Sequence, residues 1–555
     1  MSDRTRIRAG FAVALSVALV ALVVATFRDY GLGWDEPEHD RQGLEIRAYY
    51  QDWLRTGERP EWQGHRNTSK YGGLFEAAVL LAKEVSPLPW YDTRHLVNAL
   101  AGLLAIGGAA ALAGHLGGAG AACWAIALLA LTPRFYGDLF HNSKDIPFAA
   151  AYVWSLALLA RAMPDLPRLR PARALRLGAV VGAAMAIRIG GLILLGYLAL
   201  LIAIAATAEL ARERAASRSW WRSTAVPALR TFALVAIPAW LLPLPFWPWA
   251  QEAPLARPIE ALLLFGRMSS APVTLFAGGR YKTGELPASY LAHYLAITLP
   301  EIVLLLLLAG AVLTVARFAR SGGAPGGEHG RTPALAFVAF AALYPLAHIA
   351  TTRAPVFDGM RHVLFVVPPL VALAGCVAAR LAESLRSAPA AVRAAAATAL
   401  AAYLVVHVET MVRLHPYQSI YFNRLVGGLA GAAGRYDTDY WALSYRELVR
   451  GMVARGGKGK PRRPFRVWAC EPDQVAKAYL PPGYALESRP LRARFKLATT
   501  RIGCSTRRNH DPIARVERFG VTLALAFDLS QAKAERLLGR GARRPVPRPT
   551  PPRRR

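Results

Sequence analysis

Along this chain the apolar residues gather into long runs interrupted by short polar joints. The runs fall at about 10–26, 95–114, 120–132, 147–165, 175–187, 190–208, 231–246, 291–315, 334–350, 363–379 and 394–411. Several are too long and too free of charge to be core segments of a soluble protein, so the pattern predicts about eleven transmembrane helices. The segment 74–85 has helical periodicity but carries Glu76, Lys83 and Glu84. It fits an amphipathic helix at the membrane interface better than a span.

The polar joints decide the topology. Of 555 residues, 54% are hydrophobic and the formal charge is +31, yet the cations cluster in the N-terminal eight residues and in the joints at 168–176, 212–230, 317–331 and 380–393. Such clustering marks cytoplasmic joints under the positive-inside tendency, ahead of any lipid-phosphate or nucleic-acid surface. The loops at 28–94, 133–146, 247–290 and 351–362 are then extracytoplasmic. Run 10–26 resembles a signal peptide, but it lacks a small-residue cleavage site and reads as an uncleaved first helix. Residues 1–411 form the membrane domain. An odd number of spans places 412–535 outside, as a small α/β domain with a helix over 435–455 and strands near 466–470, 495–500 and 521–527. The Pro/Arg segment 536–555 is expected to be disordered. Cys123 and Cys376 lie in apolar runs, whereas Cys470 and Cys504 lie in the outer domain and can pair there. There is no CxxC and no metal-finger spacing.

Three outer loops hold the unusual polar residues. The first is Asp35-Glu36, bracketed by Trp34 and Pro37 and followed by Glu38, His39 and Asp40. A solvated loop and helix cap is the plain reading of all five, and the last three are expected to be no more than that. The second runs from Arg134 through Asp138, His141, Lys144 and Asp145 to Pro147. Here Asp145 can cap the following helix, with Pro147 in its first turn. Lys144 either snorkels to lipid headgroups or holds a specific phosphate. The third is Asp358-Gly359-Met360-Arg361-His362, in which Arg361 either snorkels or forks onto phosphate oxygens. Arg188, between two apolar runs, needs an anionic partner or a wet cavity. Acid on one loop and cations on others suit a reaction in which a nucleophile is deprotonated and a lipid phosphate departs. That reaction is glycosyl transfer from a polyprenyl-phosphate carrier, and a single displacement inverts the anomeric centre. The alternative, a transporter or flippase of lipid-linked or anionic substrates, calls for ionisable residues near the bilayer midplane and for internal repeats, and no repeat is evident. A scaffold with an unused acidic loop is the third reading.

The pair Asp35-Glu36 in the first outer loop, the segment FHNSKDIPF and the segment MRHVLFVVPPLVALAG, in that order, resemble the GT-C membrane glycosyltransferases. The resemblance is to the bacterial family 39 group that includes protein O-mannosyltransferases and the aminoarabinose transferase of lipid A. It covers about residues 10–411, with Ser143 standing where the family usually has Pro. It implies a GT-C fold and an active site on the outer face of a bacterial inner membrane. Asp35 is then the catalytic base and Glu36 orients acceptor or donor. Lys144 and Arg361 hold the carrier phosphate, with Arg188 and His362 as further phosphate candidates and His141, Asp145 and Asp358 as other site candidates. The donor is a polyprenyl-phosphate hexose or pentose; the acceptor is a protein, lipid or glycan, and nucleic acid is no partner. Some members of the wider superfamily use a divalent metal, but this group does not require one, so no metal ligands are assigned. The segments YFNRLVGG and DYWALSYRE resemble a bacterial subgroup, within which Tyr440 and Trp441 either pack in a core or stack on sugar.

Overall fold

The computed structural model describes residues 3–65, 68–213, 220–265, 273–282, 284–320, 332–456, 463–501 and 511–530. Cys504, the tail 536–555 and parts of the basic joints at 212–230 and 317–331 lie outside the described residues. The chain divides into two compact units, Met1–Leu443 and Ser444–Arg555.

Unit one begins with helix α1 (Asp3–Thr26), then α2 (Glu36–Thr56), α3 (Leu74–Val85), α4 (Trp90–Gly117), α5 (Ala119–Ala130), α6 (Pro133–His141), α7 (Asp145–Ala162), α8 (Pro171–Met185) and α9 (Ile193–Glu213). Helices Val226–Leu241, Tyr290–Thr298, Glu301–Arg320, Thr332–Thr352, Val367–Ser384 and Ala390–Leu414 follow. Among the described residues nine helical stretches are long and apolar enough to cross a membrane, and the pair α5/α6, bent by 70°, makes a tenth. The expected segment 175–187 is α8, which has 15 residues and packs on Val226–Leu241. These together give the eleven runs seen in the sequence. The first helix and the helices Glu301–Arg320 and Ala390–Leu414 leave most of their apolar side chains exposed, as lipid-facing helices do, whereas α7 is mostly buried. Small residues set the closest approach between helices: a Cβ on Gly375 would lie 2.9 Å from the Ala121 carbonyl oxygen of α5.

Several boundaries differ from those read in the sequence. The run 291–315 is two helices, because Pro300 has no N–H and holds the preceding Leu299 extended, with ψ at 146°. Outer loop 133–146 is mostly helix: α6 is buried along its whole length, and only Asn142 to Lys144 separate it from α7. The domain boundary falls at 443/444 instead of 411/412. The intervening residues pack into the membrane unit: Asn423 donates to the carbonyls of Ala296 (2.7 Å) and Leu299 (2.9 Å), and Gln418 accepts from the Tyr30 hydroxyl (2.9 Å). At the end of the bundle that carries the basic joints, Arg8 pairs with Glu383 at 2.9 Å and Arg168 with Glu209 at 2.6 Å. The loops at the opposite end build the polar site.

Strands β1 (Thr274–Phe276) and β2 (Gly279–Tyr281) form a hairpin in unit one. Unit two is the expected α/β domain. Its strands β3 (Phe465–Ala469), β4 (Tyr484–Leu486), β5 (Phe495–Thr499), β6 (Ala514–Arg518) and β7 (Val521–Asp528) form one sheet in the order β4-β3-β5-β7-β6. β3 runs parallel to β4 and β5, and β7 antiparallel to β5 and β6. The helix expected over 435–455 is confined to Tyr445–Gly456, because Gly434 takes φ +75° and the residues after it form turns. This helix covers β6 and β7. Cys470 is buried beside Ala498 and Phe527 and is disulfide-bonded, whereas Cys123 and Cys376 are thiols outside any disulfide.

Candidate active site

The sequence Gly33-Trp34-Asp35 turns the chain from α1 into α2, so the first turn of α2 presents its acids over the ends of α4 and α7. Asp35 accepts a hydrogen bond from Arg361 Nη2 at 2.6 Å, and its side chain remains 30% exposed. Arg361 also donates Nη1 to Asp358 at 3.3 Å, and its Nε lies 3.6 Å from Asp145. Arg188 reaches the other oxygen of Asp145. Loops far apart in sequence thus meet in one chain of ion pairs, Asp35–Arg361–Asp145–Arg188, with Asp358 alongside. Asp358 takes φ +57° and Gly359 +71°, and the Gly359 N–H donates to the Tyr290 hydroxyl at 2.9 Å. A left-handed aspartate is strained, and the turn that holds it is the one that aims Arg361.

Asp145 is therefore not the helix cap the sequence suggests. It is the first residue of α7, with its carboxylate 4% exposed and committed to two arginines. The local turn is made by Asn142, whose side-chain oxygen accepts from the Asp145 N–H at 3.0 Å while its amide donates to Asp145 Oδ2 at 2.9 Å.

Beneath this outer chain lies a second, largely buried cluster. Arg94 of α4 donates to Asp40 (2.7 Å), Glu76 (2.6 Å) and the Ser143 hydroxyl (2.9 Å), and its Nε is 3.6 Å from Glu36. Lys83 of α3 pairs with Asp40 at 2.6 Å. His39 Nδ1 is 2.7 Å from the Ser143 hydroxyl. Burial, with Lys144 and Arg94 next, holds the His39 pKa well below the usual imidazole value, so the ring is neutral. His39 and Asp40 are thus not loop or cap residues. They sit on the buried face of α2 and join α2, α3, α4 and the 142–144 turn. Glu38 does stay at the surface, beside Arg41 and His65.

Glu36 is buried too. Its carboxylate accepts from the Gly33 N–H at 2.6 Å and lies 3.2 Å from His95 Nε2. It faces the protein, away from the open side where Asp35 lies. Lys144 neither snorkels nor reaches solvent: its side chain is 3% exposed, and it donates to Gln42 at 3.0 Å and lies 3.6 Å from Glu76. The Tyr71 ring lies beneath both Lys144 (5.3 Å) and Arg188 (5.9 Å). His141 is buried 3.6 Å from Asp138, edge-on to Trp441. His362 packs against Phe357. In the sequence Glu76 and Lys83 read only as the polar side of an interfacial helix and Asp40 only as a loop or cap residue, and Arg94 does not stand out at all. The signal available was three charges within the 12 residues of α3 opposite an arginine near the start of a span. Among the described residues no group of three His, Cys, Asp or Glu side chains is arranged to hold a metal ion.

Burial lowers the Lys144 pKa to about 8, with Glu76 acting against that shift and Arg188 and Arg94 adding to it. An ammonium that titrates there is charged below pH 8 and neutral above it. The positive charge that Lys144 lends the cluster is therefore expected to be lost as pH rises past about 8, and Lys144→Arg is expected to keep it, which the pH profile of the thermal midpoint checks. The same pH profile for both proteins would show that Lys144 does not lose its charge there.

Fold and site together define a polytopic helical membrane protein with a charged cluster at one end of its bundle. No protein-family model and no curated protein matches the chain. Among solved structures it is similar to ArnT from Cupriavidus metallidurans bound to undecaprenyl phosphate, at 16% identity over 93% of this chain and 97% of that one, with a TM-score of 0.46. The apo state of that protein matches at 16% identity over 95% and 98%, with a TM-score of 0.48. The archaeal oligosaccharyltransferase AglB from Archaeoglobus fulgidus, in complex with an inhibitory peptide and a dolichol-phosphate, matches at 13% identity over 89% of this chain and 65% of that one, with a TM-score of 0.46.

Proposed function

We propose that this protein is an inverting GT-C glycosyltransferase that moves a sugar from a polyprenyl-phosphate carrier to an extracytoplasmic acceptor. The observation that carries the reading is the convergence of Asp35, Arg361, Asp145 and Arg188, from separate loops, on one partly open cluster, with Lys144 just below. The motifs around these residues imply the same donor class. The basic joints lie at the other end of the bundle, which supports an active site on the outer face of the inner membrane. The transporter reading calls for internal repeats, and none is evident in the sequence.

In this mechanism the acceptor hydroxyl or amine gives its proton to the Asp35 carboxylate as its heteroatom attacks the anomeric carbon. The bond from that carbon to the carrier phosphate oxygen breaks, and its electron pair leaves with the phosphate. Arg361 stabilises the departing oxygens through its forked donors, with Arg188 and Lys144 adding positive charge. Asp145 and Asp358 hold Arg361 in register. Glu36 acts by fixing the Gly33–Asp35 turn to His95 and Arg94. His141 and His362 are peripheral in this scheme.

The test is binding of undecaprenyl phosphate to the purified full chain in nanodiscs. Arg361→Ala is expected to weaken it by about 1.5–3 kcal/mol, the range for a hydrogen bond to a charged group. Equal affinity for both proteins across salt concentrations would remove the phosphate role of Arg361 and, with it, the main support for this donor class.

A further inference from the structure

Residues 436–443 form a strap laid directly over the acidic turn. At one end of the strap Asp437 accepts from the Leu275 N–H of β1 at 3.0 Å, and the Gly278 N–H donates to the Arg435 carbonyl at 2.9 Å. Inside it, Asp439 closes a tight turn by accepting from the N–H groups of Ala442 (3.1 Å) and Leu443 (3.0 Å), with Ala442 at φ +59°. The strap then meets the Trp34–Asp35 turn backbone to backbone. Trp34 N–H donates to the Trp441 carbonyl at 3.0 Å, and a Cβ on Gly31 would come within 2.3 Å of the Leu443 carbonyl oxygen. The Trp441 ring lies over the Arg361 guanidinium, 4.4 Å from its carbon, and edge-on to His141 at 5.4 Å.

We infer that Trp441 is a positioning residue for the transfer reaction: it covers one face of the Arg361 guanidinium and keeps that side chain's donors turned toward Asp35, Asp145 and Asp358. A guanidinium stacked on an indole loses little further freedom when it forks onto phosphate, and the aromatic face offsets part of its burial. The strap also carries the Trp441 carbonyl that holds the Trp34 N–H, so one eight-residue segment sets both the base and its cationic partner. The indole N–H is buried with no hydrogen-bond partner among the described residues, so what Trp441 contributes here is the ring face over Arg361 and not a hydrogen bond.

The inference rests on the glycosyltransferase reading for its functional meaning, and the test separates the two. Trp441→Phe keeps an aromatic face, whereas Trp441→Leu keeps apolar bulk without one. The rate at which phenylglyoxal modifies Arg361 in the full chain, followed by peptide mass spectrometry, needs no donor. We expect it to rise several-fold in Trp441→Leu and to stay near wild type in Trp441→Phe. In parallel, undecaprenyl phosphate should bind the leucine variant about tenfold to thirtyfold more weakly, the loss of a desolvated cation–π contact, and the phenylalanine variant nearly as well as wild type. Should the leucine variant not fold, Trp441→Met carries the same comparison, because an unbranched thioether adapts to the space. Equal Arg361 modification in the aromatic and aliphatic variants would overturn the positioning role. Failure of wild type itself to bind undecaprenyl phosphate, with modification rates still split, would instead count against the donor reading alone.

Discussion

Asp35→Asn is expected to abolish sugar transfer while tightening the hold on the carrier phosphate. The two effects have one origin. In the proposed role of general base the carboxylate is worth about 10²–10⁴ in rate, and an amide cannot take the acceptor proton. That carboxylate is also the 2.6 Å partner of Arg361. A phosphate arriving at Arg361 must share the guanidinium with Asp35 or displace it. Removing the negative charge while keeping the shape leaves Arg361 with one competitor fewer. Because Asp35 is 30% exposed, solvent screens the pair, and the gain in affinity is expected to be about threefold to tenfold. Transfer from a radiolabelled polyprenyl-phosphate sugar and titration with undecaprenyl phosphate read the two effects separately. Transfer within tenfold of wild type would remove Asp35 from the base role. Weaker phosphate binding would show that Asp35 supports the phosphate site and does not compete for it.

The second large effect is structural and lies one layer deeper. Arg94 is 1% exposed in its side chain and faces Glu76, Asp40 and Glu36, which are 0%, 9% and 1% exposed. Arg94→Met fills much the same volume but leaves these carboxylates short of a cation in a dry environment. Breaking a buried pair in this way costs about 3–5 kcal/mol, far more than the pair itself contributes over an apolar replacement. A marked fall in the thermal midpoint of the detergent-solubilised protein is expected, with part of it recovered by adding Glu76→Gln. An unchanged midpoint would mean that the cluster is hydrated and α2, α3 and α4 are held by other contacts. Lys83, whose pKa burial lowers to about 8 against the pull of Asp40, belongs to the same cluster and should protect it only partly.

What the sequence made legible follows from which interactions are periodic. Membrane helices announce themselves through apolar runs, and the basic joints orient them, so the bundle and the sharing of one end by Asp35, Lys144 and Arg361 could be reasoned from pattern alone, whereas Arg188 showed only a need for an anionic partner or a wet cavity. The strands at 466–470, 495–500 and 521–527 were equally plain from clustering, but β4 and β6 were not. β4 is three residues long, and β6 alternates Arg and Glu with Ala and Val. The helix breaks were harder. Pro300 was visible, yet hydropathy ran straight through it. The buried cluster was the least legible, because charges in α2 and α3 look like an exposed polar face until the partner helix α4 brings Arg94 against them. For the same reason Asp145, a plausible cap by local rules, proved to be the hinge between two arginines: a cap needs only its own helix, whereas an ion bridge needs partners 43 residues away and beyond.

The central claim is that a polyprenyl-phosphate sugar is consumed at this site. It is tested most directly by comparing, by mass spectrometry, lipid-linked sugars and envelope glycans from cells carrying wild-type protein, Asp35→Asn protein or none. The account predicts that one polyprenyl-phosphate sugar accumulates, and one envelope modification disappears, both without the protein and with Asp35→Asn. Unchanged lipid-linked and envelope pools in those cells would contradict it.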